Sequence, residues 1–376
     1  MRILFACGGT GGHINPALAV ANYLKAQDPE TVIAFAGNPK GMEARLVPQA
    51  GYDFKPIRVL GIQRRITLHN IKNNIMAIFY LLTSSFRAKA IMKEFQPDIV
   101  LGTGGYVSGP VLRTAAKMGI PTVTHESNAY PGVTTRLLCR YVDKVLLTVE
   151  EAKSRLDPNR EYIITGNPIR EEIILAGRRE AREKLGIPEN QFTILSFGGS
   201  LGAQRVNEAV ADVIAWHRSK HPGEIHHIHA TGSYGVELLP RLLKEKKVDF
   251  ESCKDLDIRE YINDMADCLA AADIVICRAG AITLSELQAA GRAAILIPSP
   301  NVAENHQYHN AMVLAKKEAA VVIEEKNLTG AVLCEQLEDF FLHPEKLKTF
   351  SQNAASMAII DANKRIADEV MSLLNK

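Results

Sequence analysis

The sequence lacks several features that would place it in a specialised class of protein. Its 376 residues include six cysteines, but none of them forms a Cys-x-x-Cys pair. We therefore expect a reduced, cytosolic chain without a cysteine metal site. The formal net charge is only +2, so nothing in the overall charge favours nucleic-acid binding. No apolar run approaches the roughly 18 residues that a membrane-spanning helix needs. The pattern is typical of a globular protein, and its length predicts two domains.

A glycine-rich loop follows the first apolar run. Residues 3–7 predict a buried parallel strand rather than a signal peptide, and residues 17–24 predict a helix with one apolar face. The segment between the predicted strand and the predicted helix begins with GGTGGHIN at residues 8–15. A glycine loop between a strand and a helix can bind an anion, because the backbone approaches closely and the helix N terminus favours negative charge. The alternative is a tight turn, since glycine turns are common.

Two familiar nucleotide-binding patterns are incomplete at this loop. A dinucleotide fingerprint that uses Gly9 and Gly11 needs a third glycine at the position where Ile14 stands. A P-loop that begins at Gly8 needs a Gly-Lys pair five residues later, where His13 and its neighbour stand instead. These gaps disfavour a dehydrogenase and a nucleoside triphosphatase.

The same arrangement recurs in the second half of the chain. Residues 193–214 again predict a strand, a glycine loop (GGSLGAQ) and a helix. Two such units predict an α/β protein with two Rossmann-like, parallel-sheet domains that face a cleft. We expect the first domain at residues 1–165 and the second at 166–349. A C-terminal amphipathic helix, at about residues 350–376, is expected to pack back on the first domain.

Other polar segments follow predicted strands at the sheet edge where ligands bind. In the first half these segments are GTGGYVSGP at 102–110 and ESNAYPG at 126–132. In the second half, RAGAITLSEL at 278–287 predicts a helix whose N terminus can hold a diphosphate. Glu286 in that helix suits a ribose diol, although a carboxylate there can also simply stabilise the helix N terminus. Gln307 suits sugar hydroxyls, because an amide both donates and accepts hydrogen bonds.

These segments together resemble a known family. Seven motifs occur in order: GGTGGH (8–13), GTGGYVSGP (102–110), HESN (125–128), GNPIR (166–170), GGSLGA (198–203), RAGAITLSEL (278–287) and ENHQ (304–307). With them the chain is similar to the MurG family of bacterial peptidoglycan glycosyltransferases. The resemblance implies a GT-B fold and an inverting transfer of N-acetylglucosamine (GlcNAc). The donor would be UDP-GlcNAc. The acceptor would be the C4 hydroxyl of N-acetylmuramoyl-pentapeptide on undecaprenyl diphosphate (lipid I), and the product lipid II.

The resemblance also implies roles for individual residues. Acceptor binding falls on Gly104, Gly105, Tyr106, His125 and Glu126, with the glycine loops of the first domain receiving the acceptor's diphosphate. UDP-GlcNAc binding falls on a larger set: Thr10, Gly11, Gly12, Asn128, Arg170, Ser200, Ile262, Ala281, Ile282, Thr283, Leu284, Ser285, Glu286 and Gln307. The sequence departs from the family pattern at Leu201, where glutamine is usual, and at Arg292-Ala293, where a proline usually follows.

His13 is the predicted catalytic base. It ends the first glycine loop at the start of a helix, where the helix dipole disfavours the imidazolium cation and keeps the ring neutral. The alternative is that His13 only caps the helix or binds diphosphate. Helix N termini and Arg170 can meet the charge of the departing UDP, so we predict that no metal or other cofactor is required. His227 and His229 share one face of a predicted strand without a carboxylate or cysteine at ligand spacing, which argues against a metal site.

One segment points to a membrane surface. Residues 62–93 carry six basic side chains and no acidic one, and they include the apolar run IMAIFYLL at 75–82. Such a run is too short to span a membrane but can lie in its interface, and basic flanks favour anionic lipids. The alternative is a core helix with a solvated basic rim. The lipid-linked acceptor that the resemblance implies favours peripheral contact with an anionic membrane, at the cytoplasmic face of the bacterial cell membrane.

Two other kinds of protein remain open at this point. One is another nucleotide-sugar enzyme of the same fold, such as a diacylglycerol glycosyltransferase or a UDP-GlcNAc epimerase. The other is a non-catalytic nucleotide-binding module, which would lack a base such as His13.

Overall fold

The computed structural model describes residues 1–59, 68–250 and 253–374 of the chain, without the side chains at 68–79, 81 and 82. The chain divides into two compact units. The first comprises Met1–Ile169 together with Asp361–Lys376, and the second comprises Arg170–Ile360. Strands β1–β13 and helices α1–α15 are numbered along the chain.

The first unit is built on a seven-stranded sheet in the order β3-β2-β1-β4-β5-β6-β7, with neighbouring strands parallel. A parallel sheet is covered on both faces, which explains why β1 is a nearly uninterrupted apolar run and why β4 begins with one. The strands are Arg2–Cys7 (β1), Val32–Gly37 (β2), Asp53–Pro56 (β3), Ile99–Gly104 (β4), Thr122–Glu126 (β5), Lys144–Leu147 (β6) and Ile163–Ile164 (β7).

Helices cover both faces of this sheet. Alternate residues of β1 belong to two different cores: Phe5 to the one shared with the helix after β1 and the last helix of the chain, and Leu4 to the other. The helices in this part of the chain are Gly11–Gln27 (α1), Glu43–Gln49 (α2), Leu68–Phe95 (α3), Ser108–Lys117 (α4) and Val133–Leu138 (α5), with a 3₁₀ helix at Glu150–Arg155.

The second unit repeats the plan with a six-stranded parallel sheet in the order β10-β9-β8-β11-β12-β13. Its strands are Phe192–Phe197 (β8), Ile225–Ala230 (β9), Leu256–Arg259 (β10), Ile274–Cys277 (β11), Ala293–Leu296 (β12) and Ala320–Val322 (β13). Its helices are Glu171–Leu175 (α6), Arg178–Leu185 (α7), Gln204–Lys220 (α8), Leu238–Glu245 (α9), Met265–Ala271 (α10), Ala281–Ala290 (α11), His306–Ala315 (α12), Gly330–Leu342 (α13) and Pro344–Ser356 (α14). Short 3₁₀ helices lie at Ala303–Asn305 and Glu325–Asn327. The prediction of two Rossmann-like, parallel-sheet domains is confirmed.

The first helix begins earlier than the sequence pattern predicts. Helix α1 starts at Gly11, and Pro16 lies inside it rather than at its beginning. Proline in that position removes one hydrogen bond of the helix, to the carbonyl of Gly12. The loop between β1 and α1 is therefore only residues 8–10, and the second pair of glycines belongs to the first turn of the helix.

The chain passes from one unit to the other at two places, and both boundaries differ from the expected ones. Asn167 stays with the first unit, because its Oδ1 accepts the hydroxyl of Thr148 at 2.8 Å and its Nδ2 donates to the carbonyl of Ser127 at 3.2 Å. Near the C terminus, the expected single helix is two helices. Helix α14 packs on α11 and β12 of the second unit, and only the last helix, Ala362–Leu374 (α15), packs on α1 of the first.

None of the described helices is long and apolar enough to cross a membrane. Of the predicted membrane-contacting segment, residues 62–67 lie outside the described part of the chain, and so do the side chains of 75–82 apart from Tyr80. Further along α3, Phe86 is 79% exposed, and the basic residues Arg87, Lys89 and Lys93 are exposed as well.

Candidate active site

Four predicted site residues follow one another at the N terminus of α1. Thr10 precedes the helix, and its carbonyl oxygen accepts hydrogen bonds from the N–H of His13 at 3.0 Å and of Ile14 at 3.2 Å. Gly11 and Gly12 are the first two helical residues, and His13 is the third. The N terminus of a helix carries partial positive charge, so this segment favours an anionic or electron-rich group nearby.

The His13 ring is held in one tautomer. Its Nδ1 lies 3.1 Å from the carbonyl oxygen of Thr103. A carbonyl oxygen only accepts hydrogen bonds, so Nδ1 carries a proton, and in the neutral ring Nε2 carries the lone pair. In return, the buried Thr103 hydroxyl donates to the carbonyl oxygen of His13 at 2.6 Å. This is the tautomer that a general base acting through Nε2 requires.

Two glycines let the end of β4 approach the loop that carries His13. Gly104 has a φ of +108°, and a Cβ there would lie 2.5 Å from Nδ1 of His13. A Cβ on Gly105 would overlap the carbonyl oxygen of Gly8. Gly104 and Gly105, predicted to bind the acceptor, therefore pack against the His13 loop, while the neighbouring Tyr106 is 57% exposed.

Glu126 organises the loop after β5. It is 4% exposed. Its Oε1 accepts the backbone and side-chain N–H groups of Asn128, each at 3.0 Å. Its Oε2 accepts the N–H of Gly132 at 2.9 Å and the hydroxyl of Thr135 at 2.6 Å. The first two of these bonds hold Asn128, which the sequence analysis assigned to the donor sugar, and the other two hold the end of the same loop.

His125 also lies inside the first unit. It is 1% exposed, and its Nε2 donates to the carbonyl oxygen of Gly166 at 2.8 Å. Burial lowers the pKa of His125, which favours the neutral ring. His125 and Glu126, predicted to bind the acceptor, are both buried at the end of β5. Both side chains support the loops around them.

The second unit contains a pocket of about 510 Å³ at the carboxyl edge of its sheet. Segments that follow β8, β11, β12 and β13 form its walls, as expected for a ligand site in a parallel sheet. Of the predicted donor residues, the pocket includes Thr283 and Gln307. Its other lining residues are Phe197, Gly198, Gly199, Gly202, Ala203, Gln204, Arg205, Arg278, Gly280, Ser299, Asn301 and Glu325.

The N terminus of α11 lies at this pocket. Gly280 precedes the helix, and Ala281 is its first residue. Thr283 reaches the pocket, whereas the Leu284 side chain is buried in the unit. A helix N terminus stabilises a nearby diphosphate through its backbone N–H groups and its dipole. The same pocket is lined by Gln307, whose Oε1 accepts the N–H of Ser299 at 2.9 Å.

Arg170 and Glu286 are brought together outside the lining of this pocket. Nε of Arg170 donates to Oε1 of Glu286 at 3.1 Å, and Nη1 of Arg170 reaches Glu172 at 3.0 Å. Burial raises the pKa of Glu286, and the arginine opposes that rise. Two further predicted donor residues also lie outside the lining: Ser200 is exposed beyond β8, and Ile262 is buried three residues after β10.

The histidines of β9 take part in a buried hydrogen-bond network. His227 Nε2 and His229 Nδ1 each lie 2.7 Å from the hydroxyl of Ser196. His229 Nε2 also lies 2.9 Å from Oδ1 of Asn207. Within the described residues, no group of three or more His, Cys, Asp or Glu side chains is placed to hold a metal ion.

Comparison with known families agrees with this arrangement. The model of the glycosyltransferase family 28 N-terminal domain matches residues 3–147, and that of the C-terminal domain matches residues 193–366. The chain belongs to glycosyltransferase family 28. The two family 28 matches cover most of the two sheet-containing units described above.

Individual relatives narrow the comparison within the family. The chain is 42% identical to the UDP-N-acetylglucosamine–N-acetylmuramyl-(pentapeptide) pyrophosphoryl-undecaprenol N-acetylglucosamine transferase of Acetivibrio thermocellus, with 100% of this chain and 98% of the relative covered. It is 30% identical to the crystal structure of Acinetobacter baumannii MurG, with a TM-score of 0.78 and 99% of each chain covered. A UDP-GlcNAc 2-epimerase from Neisseria meningitidis, solved with UDP-GlcNAc bound, is 14% identical with a TM-score of 0.67 over 99% of this chain and 100% of the epimerase. That likeness shows a shared fold alone.

Sequence reasoning missed several residues that line the pocket of the second unit. Arg278 lines the pocket, forms an ion pair with Glu325, and donates to the carbonyl oxygen of Ile297 at 3.1 Å. Arg205 lines the pocket as well. Both arginines directly follow a predicted strand or glycine loop, and a basic residue at that position is a sequence signal by which they could have been predicted. Glu325 follows β13, and no local pattern marks it.

Proposed function

We propose that this protein transfers GlcNAc from UDP-GlcNAc to the C4 hydroxyl of the N-acetylmuramoyl-pentapeptide on undecaprenyl diphosphate, with inversion at the anomeric carbon. Full-length relatives that are named for this transfer support the proposal. The protein is accordingly a hexosyltransferase of peptidoglycan synthesis. The diacylglycerol glycosyltransferase and epimerase alternatives are not favoured by these relatives.

The observation that carries the proposal is the hydrogen bond from Nδ1 of His13 to the carbonyl of Thr103. Because this bond leaves the lone pair on Nε2, His13 is suited to accept the proton of the C4 hydroxyl. The hydroxyl oxygen then forms the new bond to the anomeric carbon, and the bond from that carbon to UDP breaks. The proton remains on His13 until solvent removes it.

The donor is proposed to bind in the pocket of the second unit. The N terminus of α11 would stabilise the diphosphate as UDP departs, and the ion pair of Arg278 with Glu325 would lie in the same pocket. Gln307 would hydrogen-bond to hydroxyls of the sugar. Arg170 would orient the Glu286 carboxylate toward the ribose diol, since the pair is already formed. With these groups meeting the charge of UDP, we propose that no metal or other cofactor is needed.

The acceptor is proposed to bind to the first unit, where Tyr106 is exposed beside the His13 loop. Because the acceptor is lipid-linked, we also propose peripheral binding to an anionic membrane at the cytoplasmic face. The exposed Phe86 on α3, next to Arg87 and near Lys89 and Lys93, supports this placement. Sedimentation with anionic and with neutral vesicles, comparing the wild type with Phe86→Ser, would test it.

The decisive experiment measures UDP release from UDP-GlcNAc with and without a short-chain lipid I analogue. We expect release only with the acceptor, and we expect His13→Ala to lose most of kcat while its affinity for UDP stays unchanged. His343→Ala, which removes an exposed histidine, serves as the matched control. Release without the acceptor would indicate an epimerase or a hydrolase instead. Full activity of His13→Ala would exclude His13 as the base.

A further inference from the structure

A buried carboxylate that none of the roles above uses lies beneath the first glycine loop. Glu43 begins α2 and is 1% exposed. Its Oε2 accepts a hydrogen bond from the N–H of Gly9 at 3.2 Å, and its Oε1 accepts one from the N–H of Asn38 at 2.9 Å. Burying a carboxylate is costly unless hydrogen-bond donors satisfy it. The two backbone N–H groups supply that compensation.

The surrounding backbone is shaped around this side chain. A Cβ on Gly8 or on Gly41 would overlap the Glu43 carboxylate, and a Cβ on Gly37 would lie 2.5 Å from its Cγ. These glycines come from three separate segments: the end of β1, the end of β2 and the turn before α2. Glu43 therefore joins three segments at one point, and each of them leaves room for it.

The sheet order explains why this point matters for His13. Strand β1 lies between β2 and β4. The loop after β1 is consequently held from two sides, by Glu43 on the side of β2 and by Thr103 with its two following glycines on the side of β4. His13 lies only four residues beyond Gly9, the residue that Glu43 holds.

We propose that Glu43 is a positioning residue for the transfer reaction: by holding the N–H of Gly9, it fixes the loop that places the His13 ring against Thr103. This inference rests on the proposed role of His13 as the base. It has a second consequence for the acceptor. Because the Gly9 N–H is bonded to a carboxylate within the protein, that N–H does not bind the acceptor's diphosphate.

The first test replaces Glu43 with glutamine. The amide has nearly the same volume, but its NH₂ group would face one of the two backbone N–H groups, so one hydrogen bond is lost. We expect kcat of Glu43→Gln to fall about tenfold or more, because small displacements of a catalytic group are costly. The KM for UDP-GlcNAc should change less than kcat, since most of the proposed donor contacts lie in the pocket of the second unit. The exposed Glu94, paired with Lys55, provides the control Glu94→Gln, which should keep full activity.

A purely structural role would give a different result. Kinetics are therefore measured at a temperature at which circular dichroism shows the variant to be folded. If Glu43→Gln has a lower Tm but an unchanged kcat when folded, Glu43 only stabilises the unit and the proposal is wrong.

Gly8→Ala provides a second test of the proposal, because the new methyl group would displace the Glu43 carboxylate. In a Glu43→Ala background the same methyl group has room, so Gly8→Ala should cost little more. Additive losses would contradict the proposal.

Hydrogen exchange separates this proposal from the proposed function. The exchange of the Gly9 amide is followed by NMR in the absence of substrate. We expect faster exchange in Glu43→Gln and unchanged exchange in Glu94→Gln. Unchanged exchange in Glu43→Gln would show that Glu43 does not hold the loop. If the wild type instead shows no acceptor-dependent UDP release, the proposed function fails, while the exchange result still decides whether Glu43 holds the loop.

Discussion

Acidification from pH 7 to pH 5 is expected to destabilise the second unit through its buried histidines. Burial lowers the pKa of His217 and the pKa of His229 to about 4 each, against an ordinary value of 6.5. His227 has a pKa well below its ordinary value for the same reason. Both ring nitrogens of His217 are buried and have no hydrogen-bond partner within the described residues. No hydrogen bond therefore compensates a positive charge on this ring, and the nearby charge of Asp255 opposes the effect of burial only in part.

The sign and the size of the effect follow from proton linkage. Below pH 6.5 the unfolded chain binds protons at these histidines and the folded chain does not, so the free energy of unfolding falls as the pH falls. The loss continues down to the folded-state pKa near 4. Between pH 7 and pH 5, one such histidine contributes a loss of about 2 kcal/mol. His217 and His229 together contribute about 4 kcal/mol on the same scale.

The assay uses the single tryptophan of the chain. Trp216 lies on α8, beside His217 in the sequence, so its fluorescence reports the unfolding of the second unit in urea. The variant His217→Leu keeps a similar volume and removes the titrating group. We expect it to reduce the loss of stability between pH 7 and pH 5 by about 2 kcal/mol. His343→Leu, at an exposed position, should leave the loss unchanged. An equal loss in His217→Leu and the wild type would refute this reasoning.

Three further predictions concern the active site. Gly104→Ala should lower kcat strongly, because the new Cβ would lie 2.5 Å from Nδ1 of His13. Gly119 also has a positive φ, +73°, but has open space around it, so Gly119→Ala is the matched control and should keep its kcat. Glu286→Gln should raise the KM for UDP-GlcNAc about tenfold with little change in kcat, because it weakens the pair with Arg170; a lower kcat at unchanged KM would contradict this role. Exhaustive treatment with EDTA should leave the initial rate unchanged, and a loss that Mg²⁺ restores would show a metal requirement.

The strands could be predicted because each lies in a sheet covered on both faces. The apolar runs at residues 3–7 and 193–197 correspond to β1 and β8, and each strand begins one residue before its run.

The sequence pattern did not show that the C-terminal segment forms two helices, α14 and α15, rather than one. An amphipathic pattern shows that a face is buried, but it does not show which unit buries it. Residues 357–361 therefore looked continuous with the helices on either side.

The sequence indicated candidate site residues but not the contacts that those residues make. His13 and the helix that begins at Ala281 were found because glycines and polar residues follow predicted strands. The partner of His13 is Thr103, 90 residues away, and that contact depends on β4 lying next to β1. The same holds for the ion pair of Arg278 with Glu325. Pairs of residues that are distant in the sequence can be predicted only when the strand order is known.

The two glycine loops, which look alike in sequence, differ in what surrounds their backbone. Gly198, Gly199 and Gly202 of the second loop line a pocket that also contains the ion pair of Arg278 with Glu325 and the N terminus of α11, whose backbone N–H groups suit an anion. In the first loop, the N–H of Gly9 is bonded to the buried carboxylate of Glu43. A negative charge directly beneath the loop disfavours a second anion at that amide. The first loop therefore offers a phosphate one backbone N–H fewer than its glycine content indicates, in keeping with the proposal that it supports His13. A glycine-rich sequence alone does not distinguish the two.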